Sequence, residues 1–260
     1  MARLTVVKDI GAVSRTAAEH ICTLLGGLNG IGKDRSIALA GGRTPRGLYE
    51  CLSDPAQPWR TRVDWSRIEL FWSDERNVPP DDADSNFGMA NRVLIQRVPI
   101  PQQQVHRIRG EIPAVDAARE YDSLLQERTR RVDVLFDVML LGIGTDGHIA
   151  SLFPGSPLLA DIDLGEVGTS GRPGSLTTGR QLANGIFVPA LREWRISLAP
   201  AAVLNARSIV VLAAGAEKGD AIAMAIQGAP DVQRHPAQVL RGADERVDWI
   251  IDEDAARQLS

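Results

Sequence analysis

Five short apolar runs, each closed by a glycine- or acid-rich loop, constrain this chain more than any other feature. They are "SIALA" (36–40), "IELFW" (68–72), "VLFDVMLL" (134–141), "SIVVLAAG" (208–215) and "VDWII" (247–251). None alternates apolar with polar residues, which is the pattern of strands buried on both faces. Helical periodicity fills the gaps, at 12–25, 45–52, 85–96, 115–130, 200–206 and 216–227. This alternation predicts an α/β fold, a mostly parallel sheet with helices on both faces. In such sheets ligands bind beyond the carboxyl ends of the strands, so chemistry is sought in the loop after each run. A length of 260 residues suits a single domain over 1–260.

One segment breaks the rhythm. Residues 160–185, "ADIDLGEVGTSGRPGSLTTGRQLANG", are rich in Gly, Ser and Thr and have no period. They are expected to form an irregular insertion, either a plain excursion or a flap over the site. The strand pattern resumes at once with "GIFVP" and "RISLA".

A net charge of -4 gives no reason to expect nucleic acid or an anionic membrane as a partner, although a local basic pocket remains open to an anionic small molecule. Cys22 and Cys51 are too few for a disulfide framework or a zinc site, and buried free thiols in a reducing cytoplasm are expected. Residues 1–20 contain no apolar core of signal-peptide length, and no run approaches membrane-spanning length.

Four loops carry candidate chemistry. In "ALAGGRTPRGLYE" the glycines Gly41 and Gly42 allow close backbone approach, with Thr44 expected as the helix N-cap and Pro45 as the first helical residue. A helix N-terminus there would cradle a phosphate, with Arg43 or Arg46 adding charge, although a plain β–α turn uses the same residues. After "IELFW" come Ser73, Asp74, Glu75 and Arg76, then a Pro-Pro turn and a helix capped by Ser85. A carboxylate at a strand end can act as a base or hold a sugar hydroxyl, and Arg76 can bind phosphate. A surface ion pair is the commoner fate of such a run.

The third loop, "LGIGTDGHIASLFPG", has glycines at 142, 144 and 147 in the G-x-G-x-x-G spacing of a dinucleotide fingerprint. That fingerprint needs a long helix and an acid ending the next strand ~20 residues on. Here Pro154-Gly155 stops the helix early, and Asp161 and Asp163 lie in the irregular segment. The nucleotide reading fails. What remains is a turn delivering Asp146 and His148 to the start of a short helix, whose dipole would favour a neutral imidazole suited to general-base work. His20 falls in a helix pattern, His106 in a basic loop and His235 beside a proline, so none competes with His148. There is no G-x-S-x-G elbow and no metal-ligand spacing, which leaves base-activated water or a proton shuttle on a sugar, with neither metal nor cofactor. In the fourth loop, "VVLAAGAEKGDAI", Lys218 opposes the dipole of the next helix unless an anion is bound.

Together, "AGGRTP", "WSDERNVPPDDADSNF", "LGIGTDGHIASLFPGSP" and "GAEKGDAI" resemble the 6-phosphogluconolactonase family, part of the group that includes glucosamine-6-phosphate deaminase. The matches fall in order from about residue 36 to 220, and the second and third are the specific ones. The resemblance implies an α/β sheet with one site across the strand ends, hydrolysing 6-phosphogluconolactone without a nucleotide. It implies His148 as base, Asp74 and Asp146 as orienting acids, and a sugar-phosphate pocket drawn from Gly41, Gly42, Arg43, Thr44, Arg76, Ser151, Arg195 and Lys218. The deaminase branch typically reads Asp-Gly-His-Ile-Ala-Phe-Asn-Glu-Pro-Gly. Here Ser151-Leu152-Phe153 precedes Pro154-Gly155, which is the lactonase form and lacks the ring-opening Glu. Lactonases commonly carry Ser-Pro-Lys-Pro-Pro before Arg-Ile-Thr-Leu. In "FVPALREWRISLAP", Pro189 and Arg195 fit, but Ala190 stands at the lysine, leaving Arg192 or the 160–185 segment to replace that charge.

Overall fold

The structure is a computed structural model that describes residues 2–26, 35–160 and 181–259. Strands β1 (Arg3–Val7), β2 (Arg35–Leu39), β3 (Ile68–Trp72), β5 (Phe136–Gly142), β8 (Ala206–Ala213) and β9 (Val247–Asp252) form one sheet, with β4 (Asp74–Arg76) following β3 directly but lying outside it. Its order is β1-β9-β8-β5-β2-β3, and every pairing is parallel. The apolar runs form its buried middle because parallel strands covered by helices meet no water: Ile37, Leu39, Val138, Leu140, Val210 and Leu212 are all at most 2 % exposed. From β2 the chain turns outward to β3, and from β5 it proceeds the other way to β8. The crevice at this reversal, outside the carboxyl ends of β2 and β5, is where an open α/β sheet accepts ligands.

A second sheet, absent from the sequence expectations, has the order β4-β7-β6, with β6 (Ala183–Val188) and β7 (Glu193–Leu198). Both pairings are antiparallel, and Arg76 lies opposite Arg195. Of the segment expected to be irregular, 161–180 fall outside the described residues, and 183–185 belong to β6.

Helix α1 (Ile10–Gly26) buries Val13, Ala17, Ile21 and Leu25, spaced by about one turn, and packs on α2 (Arg43–Ser53). The remaining α-helices among the described residues are α3 (Trp59–Arg62), α4 (Asn86–Val93), α5 (Ala114–Thr129), α6 (Pro200–Leu204) and α7 (Gly219–Ile226). No helix among the described residues is long and apolar enough to cross a membrane. The chain's two tyrosines finish two strands. Tyr49 Oη accepts from Ala40 N (3.0 Å) and donates to Ala40 O (2.8 Å), and Tyr121 Oη treats Trp72 N (2.8 Å) and O (3.1 Å) alike. Each hydroxyl supplies both halves of a ladder rung where the strand runs out of neighbours.

Candidate active site

A cavity of about 610 Å³ opens at the carboxyl ends of β2, β3, β5 and β8, and Arg195 of β7 closes one side. All eleven residues expected from sequence to form the site lie on its wall. The structure therefore brings together loops that are up to 177 positions apart, between Gly41 and Lys218.

The β2 loop enters α2 differently from expectation. Thr44 is not the N-cap: Gly42, at φ 100°, occupies that position, and the helix already includes Arg43. Only glycine takes such a φ without strain, so the turn tightens by two residues and Pro45 becomes the third helical residue. No side chain caps this end, and among the described residues no acceptor meets the N–H groups of Arg43 or Thr44. They are free donors at the positive end of a helix, facing the cavity. Arg46 is drawn away into an ion pair with Glu50 at 2.9 Å and is not on the wall. Arg43 lies 3.6 Å from Glu217, which sequence reasoning did not single out as a wall residue.

The next loop divides its two acids. Glu75 is 2 % exposed and turned into protein: it accepts from Arg76 N (2.8 Å), Asn86 N (2.7 Å), Phe87 N (2.8 Å) and Ser85 Oγ (3.1 Å). Burial pushes its carboxyl above the usual range against those backbone donors. Ser85 caps α4 as expected, accepting from Gly88 N at 2.9 Å. Asp74, by contrast, faces the cavity. Its Oδ2 accepts from Ser151 Oγ at 2.6 Å, and its Oδ1 from Asn86 Nδ2 at 3.2 Å. The side chain of Arg76 donates to the carbonyl of Asp84.

After β5 the backbone doubles back through Gly147 at φ 82°. Gly144 N donates to His148 O (2.8 Å) and Gly147 N to Gly144 O (3.1 Å), so those two N–H groups are engaged within the loop. No helix follows His148: Ala150 sits at φ 48°, and Ile149 bridges Leu152. The expected dipole effect on the imidazole therefore has no helix behind it. A hydrogen bond takes its place. His148 Nδ1 lies 2.6 Å from Asp146 Oδ1, and the ring stacks on Phe153 with centroids 4.2 Å apart. Burial pushes Asp146 up, but hydrogen bonding and charge from His148 outweigh it and hold the carboxyl below its ordinary value. A carboxylate on Nδ1 fixes the tautomer with the proton there, which leaves Nε2 as a base.

Arg195, 9 % exposed, donates through Nη1 to Glu193 Oε2 at 2.5 Å, and no partner among the described residues meets its other nitrogens. With Arg76 opposite it in the strand register, two guanidinium groups line the same wall. Like charges directly opposite are unfavourable unless an anion shares them. Lys218 lies on the short turn 216–218 that leads into α7, and partial burial lowers its pKa, against Glu217 and Asp146. At the turn between β6 and β7, Ala190 and Arg192 are exposed and off the wall, whereas Leu191 is on it.

The family described as glucosamine-6-phosphate isomerases/6-phosphogluconolactonase matches residues 8–249. The chain is 33% identical over 266 residues to a 6-phosphogluconolactonase of Streptomyces coelicolor, covering 99% of this chain and 94% of that one. To one of Mycobacterium tuberculosis it is 34% identical over 263 residues, covering 98% and 91%. The solved 6-phosphogluconolactonase of Trypanosoma brucei superposes with a TM-score of 0.81 at 27% identity, covering 100% and 99%. A monomeric glucosamine-6-phosphate deaminase, 19% identical with a TM-score of 0.76 over 98% and 99%, shares the fold. Motifs, topology and full-length similarity agree that the chain belongs to the glucosamine-6-phosphate isomerase/6-phosphogluconolactonase family.

Proposed function

We propose that this chain hydrolyses 6-phosphogluconolactone to 6-phosphogluconate, in the oxidative pentose phosphate pathway, with water activated by His148. The observation that carries the proposal is the Asp146–His148 pair on the cavity wall, with Nδ1 held and Nε2 open. Nε2 takes a proton from water as the oxygen attacks the lactone carbonyl. The carbonyl electrons move onto oxygen, and Arg195 is the donor for that oxyanion, since Gly144 and Gly147 have used their N–H groups. Collapse breaks the bond to the ring oxygen, which receives the proton back from His148. The products are a carboxylic acid and an alcohol, and no covalent enzyme intermediate forms.

The phosphate binds at Gly41, Gly42 and Thr44, where α2 presents free N–H groups, with Arg43, Arg76 and Lys218 as charge partners. Ser151 and Asp74 hold sugar hydroxyls, Ser151 through the hydroxyl it already gives to Asp74. The test is lactone hydrolysis measured above the spontaneous background. A rate no greater than background, or ammonia release from glucosamine 6-phosphate instead, overturns the proposal. Binding of 6-phosphogluconate without hydrolysis would mark a silent sugar-phosphate-binding relative.

A further inference from the structure

Asn86 is the most heavily engaged residue of the site that the sequence reading left unassigned. It is the first residue of α4, 2 % exposed, and still contributes to the cavity wall. Its backbone is fixed from behind: Asn86 N and Phe87 N both donate to the buried carboxylate of Glu75, which takes up donors left open at the helix start. Its side chain reaches the other way. Nδ2 donates to Asp74 O at 2.9 Å and to Asp74 Oδ1 at 3.2 Å, two acceptors that require the amide nitrogen on that side. The amide oxygen therefore points toward Gly41. A Cβ at position 41 would lie 1.8 Å from it, so the carboxamide occupies the space that only a glycine leaves.

We infer that Asn86 is a positioning residue for the reaction. It aims the Asp74 carboxylate at the substrate, with its own amide oxygen packed against the Gly41 backbone. Asp74 has a donor on each oxygen, Ser151 Oγ on Oδ2 and Asn86 on Oδ1. Removing the amide takes away the shorter of the two contacts on Oδ1 and, among the described residues, leaves that oxygen only Ser73 Oγ, at 3.4 Å. The inference rests on the lactonase proposal, and the experiment separates the two.

Wild type, Asn86→Ala, Asp74→Asn and the double variant are compared in steady-state lactone hydrolysis. Asn86→Ala is expected to lower kcat about tenfold, the rate equivalent of one hydrogen bond to a charged group, with KM within about twofold. In the Asp74→Asn background the same change should cost less than about twofold, because Asn86 acts through Asp74. The near-isosteric Asn86→Asp replaces the donor with a second carboxylate beside Asp74, so the acid limb of its kcat–pH profile should move to higher pH. That readout also covers the case in which Asn86→Ala does not fold. Independent effects of the two substitutions, or an unshifted profile for Asn86→Asp, overturn the role given to Asn86 alone. A wild type that does not hydrolyse the lactone overturns both proposals.

Discussion

Gly144→Ala tests whether His148 is held by shape. A Cβ built at position 144 lies 2.1 Å from His148 Nδ1, 2.3 Å from its Cε1 and 2.5 Å from Asp146 Oδ1. Ordinary contact between such atoms begins near 3.4 Å, so the imidazole must retreat by about 1.3 Å. Gly144 has no positive φ, which makes its backbone acceptable to alanine. His148 and Asp146 are 30% and 44% exposed, so they can give way toward solvent without disturbing the core. A misplacement of about 1 Å at a catalytic group costs on the order of 10²-fold in rate, whereas surface adjustment costs stability within about 0.5 kcal/mol. Gly144→Ala should therefore lose about two decades of kcat while its melting temperature stays near wild type. The loss should vanish in a His148→Ala background, because the displaced group is already gone. Wild-type kcat in Gly144→Ala, or an equal further loss in the double variant, refutes the steric argument.

His148→Ala alone should lower kcat by ~10²-fold or more with near-wild-type circular dichroism. Arg76→Ala and Lys218→Ala should mainly raise KM for the phosphorylated lactone, and the unphosphorylated lactone should be a poor substrate for wild type; equal turnover of both lactones would remove the phosphate cradle. Tyr49→Phe strips a partner from both backbone groups of Ala40 and should cost about 1–3 kcal/mol in urea denaturation. At Asp248, burial pushes the pKa up, but bonds from His20 (3.0 Å) and Arg3 (2.5 and 2.8 Å) prevail and hold it below 3.8. A depressed folded-state pKa adds stability that is full above the unfolded value and fades as pH falls through the folded one. Asp248→Asn should accordingly flatten the acid side of the stability–pH curve below about pH 4, and an unchanged curve would discount the cluster.

The parallel sheet was legible because doubly buried strands leave unbroken apolar runs, and the strand-end rule then led to loops that line one cavity. The second sheet was not legible. Its β4 is three charged residues, Asp74-Glu75-Arg76, that read as a loop until Ser197, Ile196 and Arg195 pair with them. Strand β1 also escaped, since most of "RLTVV" is exposed at a sheet edge and so lacks the signature of the central strands. The helix expected after His148 failed at Ala150, a residue type that favours helix everywhere except at the φ of 48° imposed on it here. Asn86 did leave a trace, following the capping Ser85, but the target of its side chain depends on Gly41, forty-five positions away.

The order β1-β9-β8-β5-β2-β3 also governs when this chain becomes competent. The Gly41 cradle follows β2, the His148 turn follows β5, and the two strands pair only after about a hundred intervening residues have been made. Lys218 arrives after β8, later still. Such long loops must close before any contact rewards them, so the sheet has little partial credit to accumulate on the way. A nascent or fragmentary chain that stops short of β8 carries His148 but lacks the part of the cavity wall formed by Leu212, Ala213 and Lys218. The loops that line the cavity thus come together only once β8 has joined the sheet.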